Sequence, residues 1–317
     1  MSNIGLLYRN LILFLVSLAM VNLAVGFYKS FSGKKKVEIT SIDYVIRNND
    51  SPHDFSTDST VDFISESKEM MEIFQKYNFS SDNFFSDESA NLIIFSSLPN
   101  DFMDIKSINE RKELFVNTLL PIIYVENQKI LEERKKILDW WRKSNGENFS
   151  REFWPSWLFE LSEKYNSSDS NLGNLLIKVD IVPISVALAQ AAIESGWGTS
   201  RYLREGNAIY GQYTFNKRKG IVPKNIEKGK KFYIKKFSNL SDSTRSYLKN
   251  INTHRAYEKF RQERKKLRMN GDFLSGKVLS NYLESYSERR KEYVNDVRNL
   301  IESNNFMKFD YSKNSAN

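Results

Sequence analysis

The sequence predicts a mainly helical, α+β protein with one small β-hairpin lobe, preceded by an apolar segment and a polar tether. Three observations support this class. Apolar residues recur at helical spacing in several segments between residues 96 and 305. Alternation typical of a strand is confined to residues 231–237. Residues 30–95 are rich in Ser, Asp and Asn and offer little to bury, which predicts the tether.

The composition excludes several classes of enzyme. The chain has 317 residues, of which 40% are apolar, so it can bury one sizeable core. It has no cysteine and two histidines, His53 and His254. Thiol nucleophiles and cysteine-ligated zinc are therefore excluded, and zinc peptidase or serine hydrolase chemistry is disfavoured because it depends on well-placed histidines. We expect neither a metal nor a cofactor.

The N-terminal residues predict an export signal or a membrane anchor. Residues 11–27 are almost all apolar, with Arg9 before them and lysines after them. This length suits either a short membrane span or the core of a cleavable signal, and both remain open for residues 1–29. We expect a location in the cell envelope, either anchored in the inner membrane and facing the periplasm or exported after cleavage. The net charge of +8 fits an anionic envelope partner, and an exported chain would rarely meet nucleic acid.

Residues 96–168 are predicted to form a helical region. Ser107 to Glu110 has the pattern of a capping box and begins a helix, and Pro121 suits the first turn of a second helix. Asn127 and Arg134 share the apolar face of that second helix, so both must find hydrogen-bond partners. Further helices are predicted after residue 241, and in the tether Val61 to Tyr77 shows weak helical spacing.

One predicted helix ends in a carboxylate within apolar surroundings. From Pro183 to Ser195 the chain is rich in alanine, which predicts a buried helix, and Gly196 and Gly198 end it. Burial raises the pKa of a carboxyl group, so Glu194 would stay protonated near neutral pH and suit the donation of a proton to a leaving sugar oxygen. The alternative is an ordinary residue at a helix end, but a negative charge there opposes the helix dipole.

Two neighbouring motifs carry a resemblance to a known family. Ala189 to Gly198 reads AQAAIESGWG, and Gly206 to Tyr213 reads GNAIYGQY. Together they resemble the glucosaminidase family of peptidoglycan hydrolases, and in particular its bacterial Bax protein subgroup. Shorter similarities extend the resemblance from Leu98 to Asn305. It implies a lysozyme-like helical catalytic domain at residues 169–305, followed by a tail at residues 306–317.

The resemblance also implies a reaction. The family hydrolyses the β-1,4 bond on the reducing side of N-acetylglucosamine in glycans such as peptidoglycan, which makes Glu194 the general acid. A tyrosine of a C-terminal helix corresponds to Tyr293. A second carboxylate is expected in the β-hairpin lobe, where Glu227 lies in the right region but its flanking residues do not match the family motif. Whether a protein base or the substrate's own acetamido group completes the reaction is therefore open.

Side chains next to the acid are candidate contacts for the sugar. Trp197, Tyr210 and Tyr213 carry rings that can stack on a sugar, and Asn207 and Gln212 can hydrogen-bond to acetamido or hydroxyl groups. Core packing is the alternative for these residues. Two other functions also remain open: a lysozyme-like muramidase or lytic transglycosylase with the same acid, and a non-catalytic glycan-binding protein of the envelope.

Overall fold

A computed structural model describes residues 44–47, 66–85, 92–144, 151–167, 171–224 and 232–310. Its helices, together with one small sheet lobe, confirm the predicted mainly α, α+β class. The predicted export segment at residues 11–27 and the predicted second carboxylate, Glu227, lie outside the described residues. In the part of the chain that is described, no helix has the length and apolar character needed to cross a bilayer.

The described helices follow one another along the chain with few strands between them. They are α1 (Ser67–Lys76), α2 (Ile108–Lys143), α3 (Ser156–Lys164), α4 (Leu172–Lys178), α5 (Ile184–Ser195), α6 (Arg201–Gly206), α7 (Leu240–Thr253), α8 (Glu258–Asn270), α9 (Gly276–Leu279) and α10 (Lys291–Ser303).

Two small antiparallel sheets complete the described fold. β1 (Tyr44–Arg47) pairs with β2 (Leu92–Phe95). The second sheet has the order β3-β5-β4, formed by β3 (Tyr213–Thr214), β4 (Gly220–Ile221) and β5 (Tyr233–Lys235). The predicted strand region at residues 231–237 is therefore the centre of a three-stranded lobe rather than one arm of a simple hairpin.

Helix α2 is continuous, whereas the sequence predicted two helices meeting at Pro121. Its start is as predicted, because the Ser107 hydroxyl accepts a hydrogen bond from the Glu110 N–H at 3.3 Å. Pro121 lies inside the helix, at a cost of about 3 kcal/mol. The residues from Leu119 to Ile123 are all buried, and each large apolar side chain contributes about 1.5–3 kcal/mol. The free energy gained by burying apolar side chains on both sides of Pro121 therefore exceeds the cost of a proline inside the helix.

Residues 66–85, which the sequence analysis assigned to the polar tether, pack against the core. Met70 and Phe74 lie one turn apart on α1 and are buried. The Phe74 ring lies 5.1 Å from that of Phe79 and 5.2 Å from that of Phe95 on β2. The helical spacing noted between Val61 and Tyr77 is confirmed over Ser67–Lys76, and the apolar face of that helix is enough to dock it.

Helix α5 lies in the centre of the described core. The residues from Val186 to Ala192 are almost completely buried, among α2, α9, α10 and the turn at residues 306–309. The start of α5 is held from the far end of the described chain: Asp310 accepts hydrogen bonds from the Ser185 N–H at 2.9 Å and the Ser185 hydroxyl at 2.6 Å, and from the Gly276 N–H at 3.0 Å. Burial raises the pKa of Asp310 to about 6 even though these hydrogen bonds oppose the shift.

Three arginines fix the segment that leads into α5. The buried carboxylate of Asp180 lies 2.9 Å from Arg268, 3.7 Å from Arg134 and 3.9 Å from Arg264. Burial raises the pKa of Asp180, but the three positive charges outweigh it and hold that pKa below its usual value. Arg264, itself fully buried, also donates to the carbonyls of Asp180 at 3.0 Å and Ile181 at 2.7 Å.

The two polar residues predicted on the apolar face of α2 find partners in the same segment. Asn127 donates to the Val182 carbonyl at 2.8 Å and accepts from the Val182 N–H at 3.2 Å. Arg134 donates to the carbonyls of Leu176 and Val179. Both side chains therefore have the structural role that the sequence predicted for them.

Candidate active site

Glu194 lies in the last turn of α5, where a tight turn stops the helix. Gly196 adopts the left-handed conformation with a φ of 58°. The Trp197 N–H donates to the Ala192 carbonyl at 2.9 Å, and the Ser195 hydroxyl accepts from the Gly198 N–H at 3.0 Å. These hydrogen bonds satisfy groups at the helix end and fix the direction in which the chain leaves Glu194.

The surroundings of Glu194 favour its neutral form. Burial raises the pKa of its carboxyl above the ordinary value, while a hydrogen bond from Tyr293 and the positive charge of Arg289 act in the opposite direction without cancelling the shift. Glu194 thus lies at the end of a buried helix as the sequence predicted, and its role as a proton donor stays a prediction. The arrangement suits a group that must be protonated near neutral pH and must then become a stable anion.

A cluster of buried tyrosines surrounds the acid. Burial is the main cause that raises the pKa of each, and the negative charge of Glu194 adds to it in Tyr247, Tyr257, Tyr286 and Tyr293. Tyr293, on α10, is only 1% exposed, and its ring stacks on that of Tyr286 at 5.4 Å between centroids. Because their pKa values are raised, these phenols stay protonated and can donate hydrogen bonds at neutral pH.

Gln190 links two of these tyrosines beneath the acid. It lies one helical turn before Glu194 on α5 and is completely buried. Its Nε2 donates to the Tyr293 hydroxyl at 2.9 Å, and its Oε1 accepts from the Tyr247 hydroxyl at 2.6 Å. The sequence analysis missed Gln190 and Tyr247 as site residues. The available signal was a lone amide in an alanine-rich helix, four residues before the acid.

The chain also passes close to the acid at Gly211. This residue has a φ of 62°, and a Cβ added there would lie 3.2 Å from the Glu194 Oε2. The adjacent Tyr210 stacks on Tyr247 at 3.8 Å between ring centroids, and its carbonyl accepts from the Tyr286 hydroxyl at 3.0 Å. The loop that carries the second sequence motif therefore forms one side of the space around the carboxyl.

Replacing Gly211 by Ala is expected to lower about tenfold the turnover of a reaction that uses the Glu194 carboxyl, because the new methyl group displaces that carboxyl by a few tenths of an ångström and enzymes are sensitive to such shifts. The left-handed backbone adds a stability cost of about 1–2 kcal/mol. Gly271→Ala is the matched control, since Gly271 has a φ of 70° and a Cβ there meets nothing within 4 Å. The control should lose similar stability in urea unfolding and keep full turnover; equal turnover in both variants would contradict the prediction.

The residues predicted to bind sugar are placed as follows. Asn207 ends α6 in the left-handed conformation and donates to the Ser238 carbonyl at 3.2 Å. Tyr210 is buried within the tyrosine cluster. Gln212 donates to the Ser246 carbonyl at 3.3 Å, and its buried Oε1 has no hydrogen-bond partner among the described residues. The Gln212 Oε1 and the Tyr210 hydroxyl are therefore the groups of this set with unused hydrogen-bonding capacity.

The two remaining candidates, Trp197 and Tyr213, differ in exposure. The Trp197 ring packs at 5.8 Å from that of Phe115 and 6.2 Å from that of Phe306, with the Lys112 ammonium 4.6 Å from its centroid. The structure thus gives Trp197 a packing role, and a sugar contact for it stays a prediction. Tyr213 is 64% exposed on β3.

The sheet lobe presents an aromatic face. Tyr213 lies 6.1 Å from Phe215 and 5.9 Å from Phe232, measured between ring centroids. Phe215 is 78% exposed. Tyr213 lies two residues after Gly211, whose backbone approaches the Glu194 Oε2. The exposed aromatic face therefore lies near the tyrosines that surround the acid. Among the described residues, no cluster of three or more His, Asp or Glu side chains could hold a metal ion.

Comparison with known proteins agrees with this geometry. Residues 171–306 match the family model described as glucosaminidase, mannosyl-glycoprotein endo-beta-N-acetylglucosaminidase. Protein bax of Escherichia coli (strain K12) is 30% identical over 229 residues, which are 68% of this chain and 77% of that protein. No solved structure matches the chain significantly.

The chain belongs to the glucosaminidase family, as a Bax-like member. The family match begins just before α4 and ends at Phe306, so it contains every residue described above as touching Glu194. Membership of this family supports a peptidoglycan hydrolase of the glycosidase type.

Proposed function

We propose that the protein is an endo-β-N-acetylglucosaminidase of peptidoglycan, with Glu194 as its general acid. The observation that carries the proposal is a carboxyl group whose pKa burial raises, at the end of the central helix, with a protonated tyrosine donating to it. The neutral carboxyl gives its proton to the oxygen of the β-1,4 bond as that bond breaks. The leaving sugar departs with a hydroxyl group, and the charge left on Glu194 is stabilised by Tyr293 and Arg289.

The second half of the reaction needs a group that assists attack at the sugar C1. Glu227 is one candidate, as a base that activates water, and the neighbouring acetamido oxygen of the substrate is the other. A variant Glu227→Gln separates them. Loss of turnover on the order of 10²-fold or more supports the protein base, whereas turnover within about threefold of wild type supports the acetamido group.

Substrate contacts follow from the exposed and unpaired groups around the acid. The aromatic face of Tyr213, Phe215 and Phe232 suits stacking against the apolar faces of sugar rings. Gln212 can bind an acetamido group only in a rotamer that brings its buried, unpaired Oε1 to the surface. Because peptidoglycan is an envelope polymer, we also propose a cell-envelope location, with residues 11–27 serving as the membrane anchor or export signal.

The identity of the new chain ends tests the proposed reaction. Purified protein is incubated with peptidoglycan, the soluble fragments are reduced with borohydride, and the reduced ends are identified by mass spectrometry. Reduced N-acetylglucosamine ends support the proposal. Reduced muramic acid ends indicate a muramidase, and anhydromuramic ends indicate a lytic transglycosylase. No release of fragments, with binding retained, indicates a glycan-binding protein. A parallel digestion with Glu194→Gln detects any contaminating hydrolase.

A further inference from the structure

We propose that Gln190 is a positioning residue that fixes the direction of the hydrogen bonds around Glu194. The effect of Gln190 on catalysis rests on the proposed function, whereas its hydrogen bonds to Tyr293 and Tyr247 do not depend on that proposal. Gln190 never needs to touch the substrate. It acts through Tyr293, whose hydroxyl lies between Gln190 and the acid.

The Tyr293 hydroxyl has a single proton for the groups on its two sides. A phenol hydroxyl has one proton to donate, although it can also accept hydrogen bonds. Tyr293 accepts from the Gln190 Nε2 at 2.9 Å, so its own proton is free to point toward Glu194. An amide nitrogen can only donate, and this forces Tyr293 to be an acceptor on the side of Gln190 and a donor on the side of the acid.

Tyr247 holds the amide in this orientation. Its hydroxyl donates to the Gln190 Oε1 at 2.6 Å, and both side chains are completely buried. If the amide turned over, its oxygen would face Tyr293 and would compete with Glu194 for the single phenol proton. The stack of Tyr247 on Tyr210 keeps Tyr247 in place, so the order Tyr247, Gln190, Tyr293, Glu194 has one direction of donation.

This direction matters most when the acid has lost its proton. A donor aimed at a carboxylate stabilises the charged form more than the neutral form, so the interaction strengthens as the proton leaves for the sugar oxygen. The hydrogen bond from Tyr293 lowers the pKa of Glu194, in opposition to burial, which is the larger effect. Gln190 therefore tunes how readily the acid gives up its proton, and it does so through Tyr293.

The test is a double-mutant cycle of Gln190→Met and Tyr293→Phe, read by the pKa of Glu194. Methionine keeps the volume and flexibility of the side chain and removes both polar ends. The pKa of Glu194 is measured by carbon NMR of the side-chain carboxyl, with Glu194→Gln identifying the signal. Each single variant should raise that pKa by at least half a unit. The double variant should raise it no further than Tyr293→Phe alone, because Gln190 acts through the phenol.

Turnover of peptidoglycan provides the second readout of the cycle. Gln190→Met should lower kcat about tenfold with KM within twofold, and should lower kcat less than twofold further in the Tyr293→Phe background. Tyr247→Phe, which releases the amide to turn over, should shift the pKa of Glu194 in the same direction by a smaller amount. Melting temperatures show that the variants compared are folded.

Two results would overturn the proposal. One is an unchanged pKa of Glu194 in folded Gln190→Met protein. The other is a fold-reduction of kcat in the double variant equal to the product of the fold-reductions in the two single variants. The NMR titration does not depend on catalysis. If wild-type protein fails to cleave peptidoglycan but the pKa pattern is as expected, the proposed function is wrong and the positioning role of Gln190 stands.

Discussion

Glu194→Gln is expected to lose about 10²–10⁴-fold in kcat on peptidoglycan and at the same time to gain stability. The loss follows because glutamine cannot give a proton to the leaving oxygen. The gain follows because a buried carboxyl that must ionise in the folded protein is destabilising, and an uncharged isostere removes that cost. We expect a gain of about 1 kcal/mol, or about 2–4 °C in Tm for a domain of this size.

The gain should depend on pH in a defined direction. The folded-state pKa of Glu194 is raised above its ordinary value of 4.5, so the wild-type protein is favoured at low pH and loses that advantage as the pH rises through the folded-state pKa. The Tm difference between Glu194→Gln and wild type should therefore be close to zero near pH 4 and largest above the folded-state pKa. Turnover of the wild type should fall over the same upper range, because the acid is then ionised.

Calorimetry across pH 4–8 and turnover measurements check both parts. Glu302→Gln is a suitable control, since Glu302 lies on the surface of α10 in an ion pair with Lys277 at 2.8 Å. That variant should keep full turnover and should show no gain in Tm with rising pH. A Glu194→Gln protein that retains turnover would remove Glu194 from the proposed mechanism.

Arg264→Met should be the most destabilising of the substitutions considered, at about 3–5 kcal/mol. The fully buried guanidinium compensates Asp180 and donates to four groups, namely the carbonyls of Ile177, Asp180 and Ile181 and the Oδ1 of Asn252. Methionine can fill part of the volume but removes the donor to the carbonyls of Ile177 and Ile181 and to the Asn252 Oδ1, whereas the Asp180 carbonyl keeps the Asn252 amide as a donor. Because the segment leads directly into α5, turnover should fall as well.

Urea unfolding monitored by circular dichroism measures this effect. Lys266→Met, on the exposed face of the same helix, removes only a surface ion pair with Glu263 and should change stability by less than about 0.5 kcal/mol. An Arg264→Met protein within 1 kcal/mol of wild type would contradict the buried-charge argument.

Much of the core of this site could be predicted from the sequence. Alanine spacing, Pro183 and the two glycines were enough to define α5 and to place Glu194 at its end, because these are local effects of propensity and capping. Tyr293 was found through family resemblance, and it donates to the acid as a residue of the site would.

The rest could not be predicted because it depends on contacts distant in sequence. The proposed role of Gln190 depends on its hydrogen bonds to Tyr247 and Tyr293, which are 57 and 103 residues away in the sequence. The break expected at Pro121 was wrong because burial along α2 outweighs the local preference of proline. The weak helical spacing within residues 66–85 predicted α1, but the docking of that helix depends on a surface that the rest of the fold supplies.

The hydrogen bonds from Ser185 to Asp310 span 125 residues. During synthesis on the ribosome, every residue that touches Glu194 is made before Asp310, whose carboxylate binds the N-terminus of α5. A protein truncated just before Asp310 would still contain every residue of the candidate site but would lack the hydrogen bonds that hold the N-terminus of α5. Deletion studies that trim the C-terminus to isolate a minimal enzyme should therefore retain this aspartate, or a loss of function could be mistaken for the removal of a regulatory tail.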